Sequence, residues 1–301
     1  MLNLITADQA SQRLDRYLKT ICRGVPYARL MRALREGEVR VNGKKEAASY
    51  RLREGDEVKV PEFATPHAHS DTTPPKILTQ YNFDELVLYE DQDMVVLNKP
   101  AGLAVQGGSK IMHSLDRLVQ HWRPQETLRL THRLDRDTSG VLLLAKHLSS
   151  ARHLTAAFKA GKIDKTYVAV CVGRPEKDKG SIDKAIKKLP GKLGERMVTD
   201  PEGLSAVTEY HILKHGQNHL TLLSLHPLTG RTHQLRVHCM ALGCPILGDG
   251  KYAGRAAQYL DQRYPLHLHA ASVRFLHPHG GMMTIEAPLP PHMEETLQRH
   301  F

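Results

Sequence analysis

The sequence predicts an α+β protein in two parts: a small basic helical module over residues 1–60, then a larger domain over 81–301 on a mostly antiparallel mixed sheet. Three observations carry this. Apolar runs typical of strands outnumber helical segments after residue 81 and do not alternate regularly with them, which argues against a doubly wound fold. Helix-spaced leucines dominate the start of the chain. Between the parts, residues 61–80 hold four prolines, few aliphatic side chains and no periodicity, as a linker does.

In the first part, Leu14, Leu18 and Ile21 or Cys22 fall at helical spacing after the polar start Ser11-Gln12. Pro26 suits the opening of a second helix, where a missing N–H loses no bond. Leu30 and Leu34 share one face of that helix, while Arg29, Arg32 and Arg35 form a stripe on another. Acidic residues that could balance the stripe are sparse between Ser11 and Lys45, so Arg29, Arg32, Arg35, Arg40, Lys44 and Lys45 are expected to meet phosphates. Val39–Val41 reads as a strand entering a tight turn at Asn42-Gly43, since both residues tolerate positive φ. Arg53–Asp56 reads as a second turn before the strand Glu57–Val60.

In the second part, Met94–Asn98, Val141–Ala145, Tyr167–Val172, Thr208–Leu213, His219–Leu225 and Met283–Glu286 read as strands. Ser149–Ala160 reads as a helix closed by Gly161, and Thr232–Leu242 as another closed by Gly243. Lys177–Lys192, with Lys184, Lys187 and Lys188, reads as a mobile basic loop, either solvated or touching a polyanion.

Composition bounds the function. Forty-two Lys and Arg against 32 Asp and Glu leave a net charge of +10, and residues 1–60 alone hold 13 basic and 8 acidic side chains. That balance favours an anionic partner, of which nucleic acid is the commonest large one. No apolar stretch approaches the roughly 20 residues that cross a bilayer. The first residues lack the apolar segment of a signal peptide, so a cytoplasmic location is expected. Four cysteines make no disulfide framework. Oligomeric state is not legible, and a monomer is the default expectation.

The sharpest segment is His132-Arg-Leu-Asp-Arg-Asp-Thr-Ser-Gly140, a polar loop running into the apolar strand Val141–Ala145. It offers two carboxylates, Asp135 and Asp137, among arginines. A carboxylate beside a guanidinium stays ionised and can serve as nucleophile or base. On chemistry alone the two aspartates are not distinguishable, and a charged turn with local ion pairs fits as well. A hydrolase using both as an acid/base pair is a further reading. His267, His269, His277 and His279 prompt a metal check. No Cys-x-x-Cys exists, so surface or RNA-facing imidazoles are expected and no metal. No phosphate-binding glycine motif is present, so no nucleotide cofactor is expected.

Two resemblances complete the reading. Arg13-Leu-Asp-Arg16, the basic second helix, Val41-Asn-Gly-Lys44 and Glu54-Gly-Asp56 resemble an S4 RNA-binding domain over residues 11–60. His132–Gly140 resembles the central motif of the RluA-type pseudouridine synthases. Asn98-Lys-Pro-Ala-Gly102, Lys165-Thr-Tyr-Val-Ala169 and Thr229-Gly-Arg-Thr-His-Gln-Leu-Arg-Val-His238 resemble that family's other motifs, in order. Ala104–Gly108 and Gly194–Val198 are similar to the subgroup acting on large-subunit ribosomal RNA. The resemblance implies a cofactor-free isomerase that turns uridine into pseudouridine. It implies Asp135 as catalytic aspartate, Tyr167 against the target uracil, and Arg236 paired with Asp135. It implies Arg133 in the space left by the flipped base, with His132 and Arg231 also toward RNA. The alternatives are a non-catalytic RNA-binding assembly factor and the same isomerase acting on transfer RNA.

Overall fold

The computed structural model describes residues 2–7, 9–22, 25, 27–62, 81–107, 114–190, 196–254 and 264–301. The described residues up to 62 form one compact unit and those from 81 form another.

The first unit contains β1 (Leu2–Leu4), α1 (Leu14–Ile21), α2 (Tyr27–Glu36), β2 (Arg40–Val41) and β3 (Glu57–Lys59). The strands form an antiparallel sheet in the order β1-β3-β2. Leu14 and Leu18 of α1 and Leu30 and Leu34 of α2 bury together with Ile5, Val41 and Val58, as their helical spacing requires. The Asn42-Gly43 turn is as expected: both residues have positive φ, and Val41 and Lys44 exchange backbone hydrogen bonds across it. Asn42 also ties the two turns together. Its Nδ2 donates to Asp56 and its Oδ1 accepts the Glu57 N–H, each at 2.8 Å. Pro26 and residues 63–80 of the expected 61–80 linker lie outside the described residues.

The arginine stripe needs a correction. Arg29 pairs with Glu38 at 3.1 Å and Arg32 with Glu36 at 2.7 Å, so the helix's own end and the next residues supply balancing acids. Arg35 and Lys44 are exposed.

The second unit opens with α3 (Phe83–Leu86), β4 (Val87–Glu90), β5 (Met94–Lys99), α4 (Leu115–Trp122), β6 (Arg129–Leu130) and β7 (Ser139–Ala145). It continues with α5 (Leu148–Lys159), β8 (Asp164–Val172), β9 (Lys179–Asp183), β10 (Ile186–Leu189), β11 (Arg196–Thr199), β12 (Val207–His215) and β13 (Leu220–Pro227). Then come α6 (Gln234–Ala241), β14 (Leu268–Leu276), β15 (Met282–Glu286) and α7 (Pro291–His300). The main sheet runs β4-β5-β7-β14-β8-β13-β12-β9, with β6 on β7 and β15 on β14. Among the described strands every pairing is antiparallel except β7 with β14. The α+β, mostly antiparallel reading therefore stands.

Strand β7 is buried along its whole length, because apolar clusters cover both its faces. Its parallel partner comes very close. Gly140 has φ +110°, and a Cβ there would sit 2.2 Å from the Ala270 carbonyl oxygen, so only glycine fits.

The lysine-rich stretch is also corrected, for among its described residues, 177–190, two segments are strands rather than loop. Lys179–Asp183 pairs with β12, and Ile186–Leu189 pairs with β11 as a hairpin. Ile186 is buried while Lys188 and Leu189 face out, and Lys187 pairs with Asp200 and Glu202. Lysines on a short hairpin protect exposed strand edges, which explains their density. The histidines divide. His277 and His279 meet Asp91 and Asp93, but His267 and His269 are fully buried and not RNA-facing. His269 lies 2.8 Å from Ser139 Oγ, and His267 lies 2.9 Å from Thr296 Oγ1, so the core satisfies both rings.

Candidate active site

The loop between β6 and β7 carries the His132–Gly140 motif. Side chains extend the β6–β7 ladder beyond its last backbone pair. The Thr131 hydroxyl donates to Leu143 O at 2.8 Å, and His132 Nε2 accepts the Leu143 N–H at 3.0 Å. The His132 ring stacks on Phe158 at 4.1 Å. Burial, helped by the nearby Lys165 charge, lowers its pKa to about 3, so it stays neutral as its acceptor role demands. His132 lines the cavity, but its Nε2 is committed to the sheet.

Lys99, at the end of β5, holds the far side of the loop. It is fully buried, and its Nζ donates to the carbonyls of Pro100 at 2.7 Å, Leu103 at 2.8 Å and Arg136 at 3.0 Å. Burial lowers its pKa to about 7, while the charges of Asp137 and Asp135 oppose that fall. The Asn98–Gly102 motif thus has a physical reason: a strand-end ammonium pins the loop that carries the acids.

Asp135 projects into a cavity of about 560 Å³. Its walls include Tyr167 of β8, Arg236 of α6, His233, and Thr229–Arg231 at the start of the Thr229–His238 motif. Gln234 braces that motif by accepting from Thr229 Oγ1 at 2.7 Å and the Arg231 N–H at 3.0 Å. Arg133 and Arg231 are exposed on the same cavity, and Arg231 donates to Ser205 O. Tyr167 packs between two apolar clusters. Burial, then the Asp135 charge, pushes its phenol well above the usual value, so it stays protonated. Asp137 is absent from the cavity wall and pairs with Arg136 at 3.0 Å, which weakens the two-carboxylate hydrolase reading.

The structure distributes Arg236 in a way the sequence did not disclose. Its Nε and Nη2 each reach Asp249 at 2.7 Å, and Nη1 lies 3.7 Å from Asp135 Oδ2. His233 Nε2 approaches the same oxygen at 3.8 Å. Asp249, Tyr252, His233 and Lys99 were not singled out from sequence. Of the basic residues expected to bind RNA, Arg133, His132 and Arg231 gather at the cavity. Arg29, Arg32, Arg35 and Lys44 belong to the first unit.

Comparison with known proteins defines the class. The model of the RNA pseudouridylate synthase family matches residues 93–241, which include Asp135, Tyr167 and Arg236. The chain belongs to the RluA-type RNA pseudouridine synthases and is therefore an isomerase that acts on RNA. It is 38% identical over 306 residues to ribosomal large subunit pseudouridine synthase C of Escherichia coli strain K12, spanning 98% of this chain and 95% of that one. The protein of the same name from Vibrio cholerae is 36% identical over 304 residues, at 98% and 95% coverage. Among solved structures, human RNA pseudouridylate synthase domain containing 4 superposes with a TM-score of 0.59 at 29% identity, covering 74% of this chain and 95% of that chain. Among the described residues no helix is long and apolar enough to cross a membrane.

Proposed function

We propose that this isomerase converts specific uridines of large-subunit ribosomal RNA to pseudouridine in the cytoplasm, with Asp135 as its catalytic carboxylate. The observation that carries the reading is the cavity in which Asp135 Oδ2 lies 3.7 Å from Arg236 Nη1 and which Tyr167 also lines. The names of the relatives from E. coli and V. cholerae support the ribosomal target.

Each residue has a stated job. The target uridine leaves the stack, which costs a few kcal/mol. The Tyr167 ring returns about 1–3 kcal/mol by stacking on the base. Exposed Arg133 fills the gap in the RNA, and Arg231 takes a phosphate. The Asp135 carboxylate acts on the sugar, as nucleophile or as base, while the uracil detaches, turns and rejoins through carbon. The net change is an isomerisation, so no oxidant or external group is consumed. The first unit serves as an S4-like RNA grip through Arg29, Arg32, Arg35 and Lys44.

The test maps pseudouridines by carbodiimide labelling and primer extension in ribosomal RNA. The strain lacks the gene and is complemented with wild type or Asp135→Asn. Stops that vanish on deletion and return only with wild type are expected. A return with Asp135→Asn overturns the catalytic assignment. An unchanged ribosomal pattern overturns the ribosomal target and directs the search to transfer RNA.

A further inference from the structure

We propose that His233 is a positioning residue for Asp135 and that the Tyr252 hydroxyl fixes which ring nitrogen of His233 carries the proton. The inference rests on the reading of Asp135 as the catalytic carboxylate.

His233 precedes α6 with φ +53° and ψ 22°, in the left-handed region. Few residues other than glycine sit there, and such strain persists only where the surroundings over-determine it. Here Nδ1 is hydrogen-bonded and Nε2 faces a carboxylate. Nδ1 lies 2.6 Å from Tyr252 Oη, and Nε2 lies 3.8 Å from Asp135 Oδ2. The Tyr252 ring meets the imidazole edge-on, with centroids 5.5 Å apart.

Tyr252 decides the tautomer. The residue is 2% exposed, so its hydroxyl must find partners within the protein. The Met197 N–H donates to Oη at 3.2 Å. The hydroxyl's single proton then goes to His233 Nδ1, its one acceptor among the described residues. A neutral imidazole that accepts at Nδ1 carries its proton at Nε2. The ring is neutral because burial, with Arg236 and Lys251 nearby, lowers its pKa against the pull of Asp135 and Asp249.

The Nε2–H therefore faces Asp135. Arg236 Nη1 and His233 Nε2 converge on the same oxygen, Oδ2, at 3.7 and 3.8 Å. Oδ1 accepts no hydrogen bond among the described residues and is the oxygen left to act on the sugar. Both contacts exceed hydrogen-bond length, and such contacts commonly tighten when substrate closes a site. The two donors are locked from behind by one turn: Asp249 holds Arg236, and Tyr252 holds His233. A wrong tautomer would aim a lone pair at the carboxylate, so Tyr252 sets the orientation of Asp135 without touching it.

The experiment uses full-length protein and a large-subunit ribosomal RNA transcript carrying tritium at uridine C5. Tritium release is followed in single turnover, and RNA affinity by filter binding. His233→Asn tolerates the left-handed backbone but cannot reach Asp135; its rate falls about 10²-fold at unchanged affinity. His233→Gln, whose amide can extend an N–H toward Asp135, recovers part of that loss. Tyr252→Phe keeps the ring and loses about tenfold. Two-bond proton–nitrogen spectra of histidine-labelled protein read the tautomer directly. The His233 signal is assigned by its loss in His233→Asn or its movement in Tyr252→Phe. An Nε2–H pattern in wild type that shifts in Tyr252→Phe is expected. A wild-type Nδ1–H pattern, or full activity of His233→Asn, overturns the proposal. Asp135→Asn separates the layers: if it is inactive while His233→Asn is fully active, only this inference falls, whereas an active Asp135→Asn removes the reading beneath it.

Discussion

Arg236 grips Asp249, not Asp135: two nitrogens reach Asp249 at 2.7 Å, and Nη1 alone is offered to Asp135, at 3.7 Å. Asp249 is 1% exposed, and its Oδ1 also accepts the N–H groups of Lys251 and Tyr252 at 3.0 Å. A bidentate clamp of this kind removes rotational freedom from the guanidinium before RNA arrives. It leaves Nη1 facing the Asp135 carboxylate. Positioning of the acid is thus delegated to a residue remote from it in sequence.

Asp249→Ala should therefore damage both stability and rate. Breaking a buried ion pair by removing one partner costs about 3–5 kcal/mol, because the remaining charge is left uncompensated. Urea unfolding should show that loss, and single-turnover tritium release should slow at unchanged RNA affinity. Arg236→Lys should not preserve the rate, since an ammonium cannot hold Asp249 with two donors and still face Asp135. A wild-type rate in Arg236→Lys would sink the clamp argument.

Lys99 makes a second, independent prediction. Replacing it by Met keeps most of the volume but leaves three carbonyls without their donor. Of the three bonds only the one to Leu103 is buried, and an unsatisfied buried acceptor costs about 1–3 kcal/mol, so the loss should be of that size. The Arg136 carbonyl lies one residue after Asp135, so the loop that carries Asp135 should loosen as well. Thermal melts and turnover should both report it. A variant as stable as wild type would mean that the Lys99 bonds hold nothing.

How much of this was legible in the sequence depends on distance along the chain. Local signals were legible: the Asn42-Gly43 turn, the leucine spacing of α1 and α2, the apolar run of β7, and the loop that carries Asp135. Short strands with exposed lysines were not, because Lys187 and Lys188 at an edge look like a solvated loop. Helices α4 and α7 were also missed, although Leu115, Leu118 and Val119 of α4 fall at helical spacing. The His267 and His269 environment needed tertiary knowledge, since Ser139 and Thr296 complete it from far away. The same holds for Asp249 and Tyr252, which acquire meaning only when α6 and the turn after it pack together. Motifs marked the acid; the fold alone revealed its supports.

Buried histidines give the pH prediction. Burial holds His132 at about 3, and His267 and His269 at about 4, against an ordinary value of 6.5. All three are neutral in the folded protein. On acidification the unfolded chain takes up these protons first, near 6.5, so stability falls as pH drops from there toward 4. Above 6.5 the contribution is fully present. Each ring adds up to about 1.4 kcal/mol per pH unit in that window. Melting temperature should decline steadily between pH 6.5 and 4.5, and His269→Gln should flatten the slope by about one proton. A flat profile would show that these rings are charged in the fold.

The basic helix of the first unit supplies the last prediction. Arg29 and Arg32 are paired with Glu38 and Glu36, but every partner is at least partly exposed. Exposed pairs contribute about 0–1 kcal/mol each, so RNA phosphates can displace the glutamates at little cost. Arg35 and Lys44, already exposed, need no such exchange. Simultaneous Arg29→Ala, Arg32→Ala and Arg35→Ala should leave stability within about 2 kcal/mol of wild type. RNA affinity should weaken uniformly across sequences. The log–log dependence of affinity on salt should flatten by about 0.7–0.9 for each phosphate that the helix no longer neutralises. The single-turnover rate at saturating RNA should hold, since the cavity residues are untouched. An unchanged salt slope would remove this helix from RNA binding and leave the glutamate pairs as its only electrostatic role.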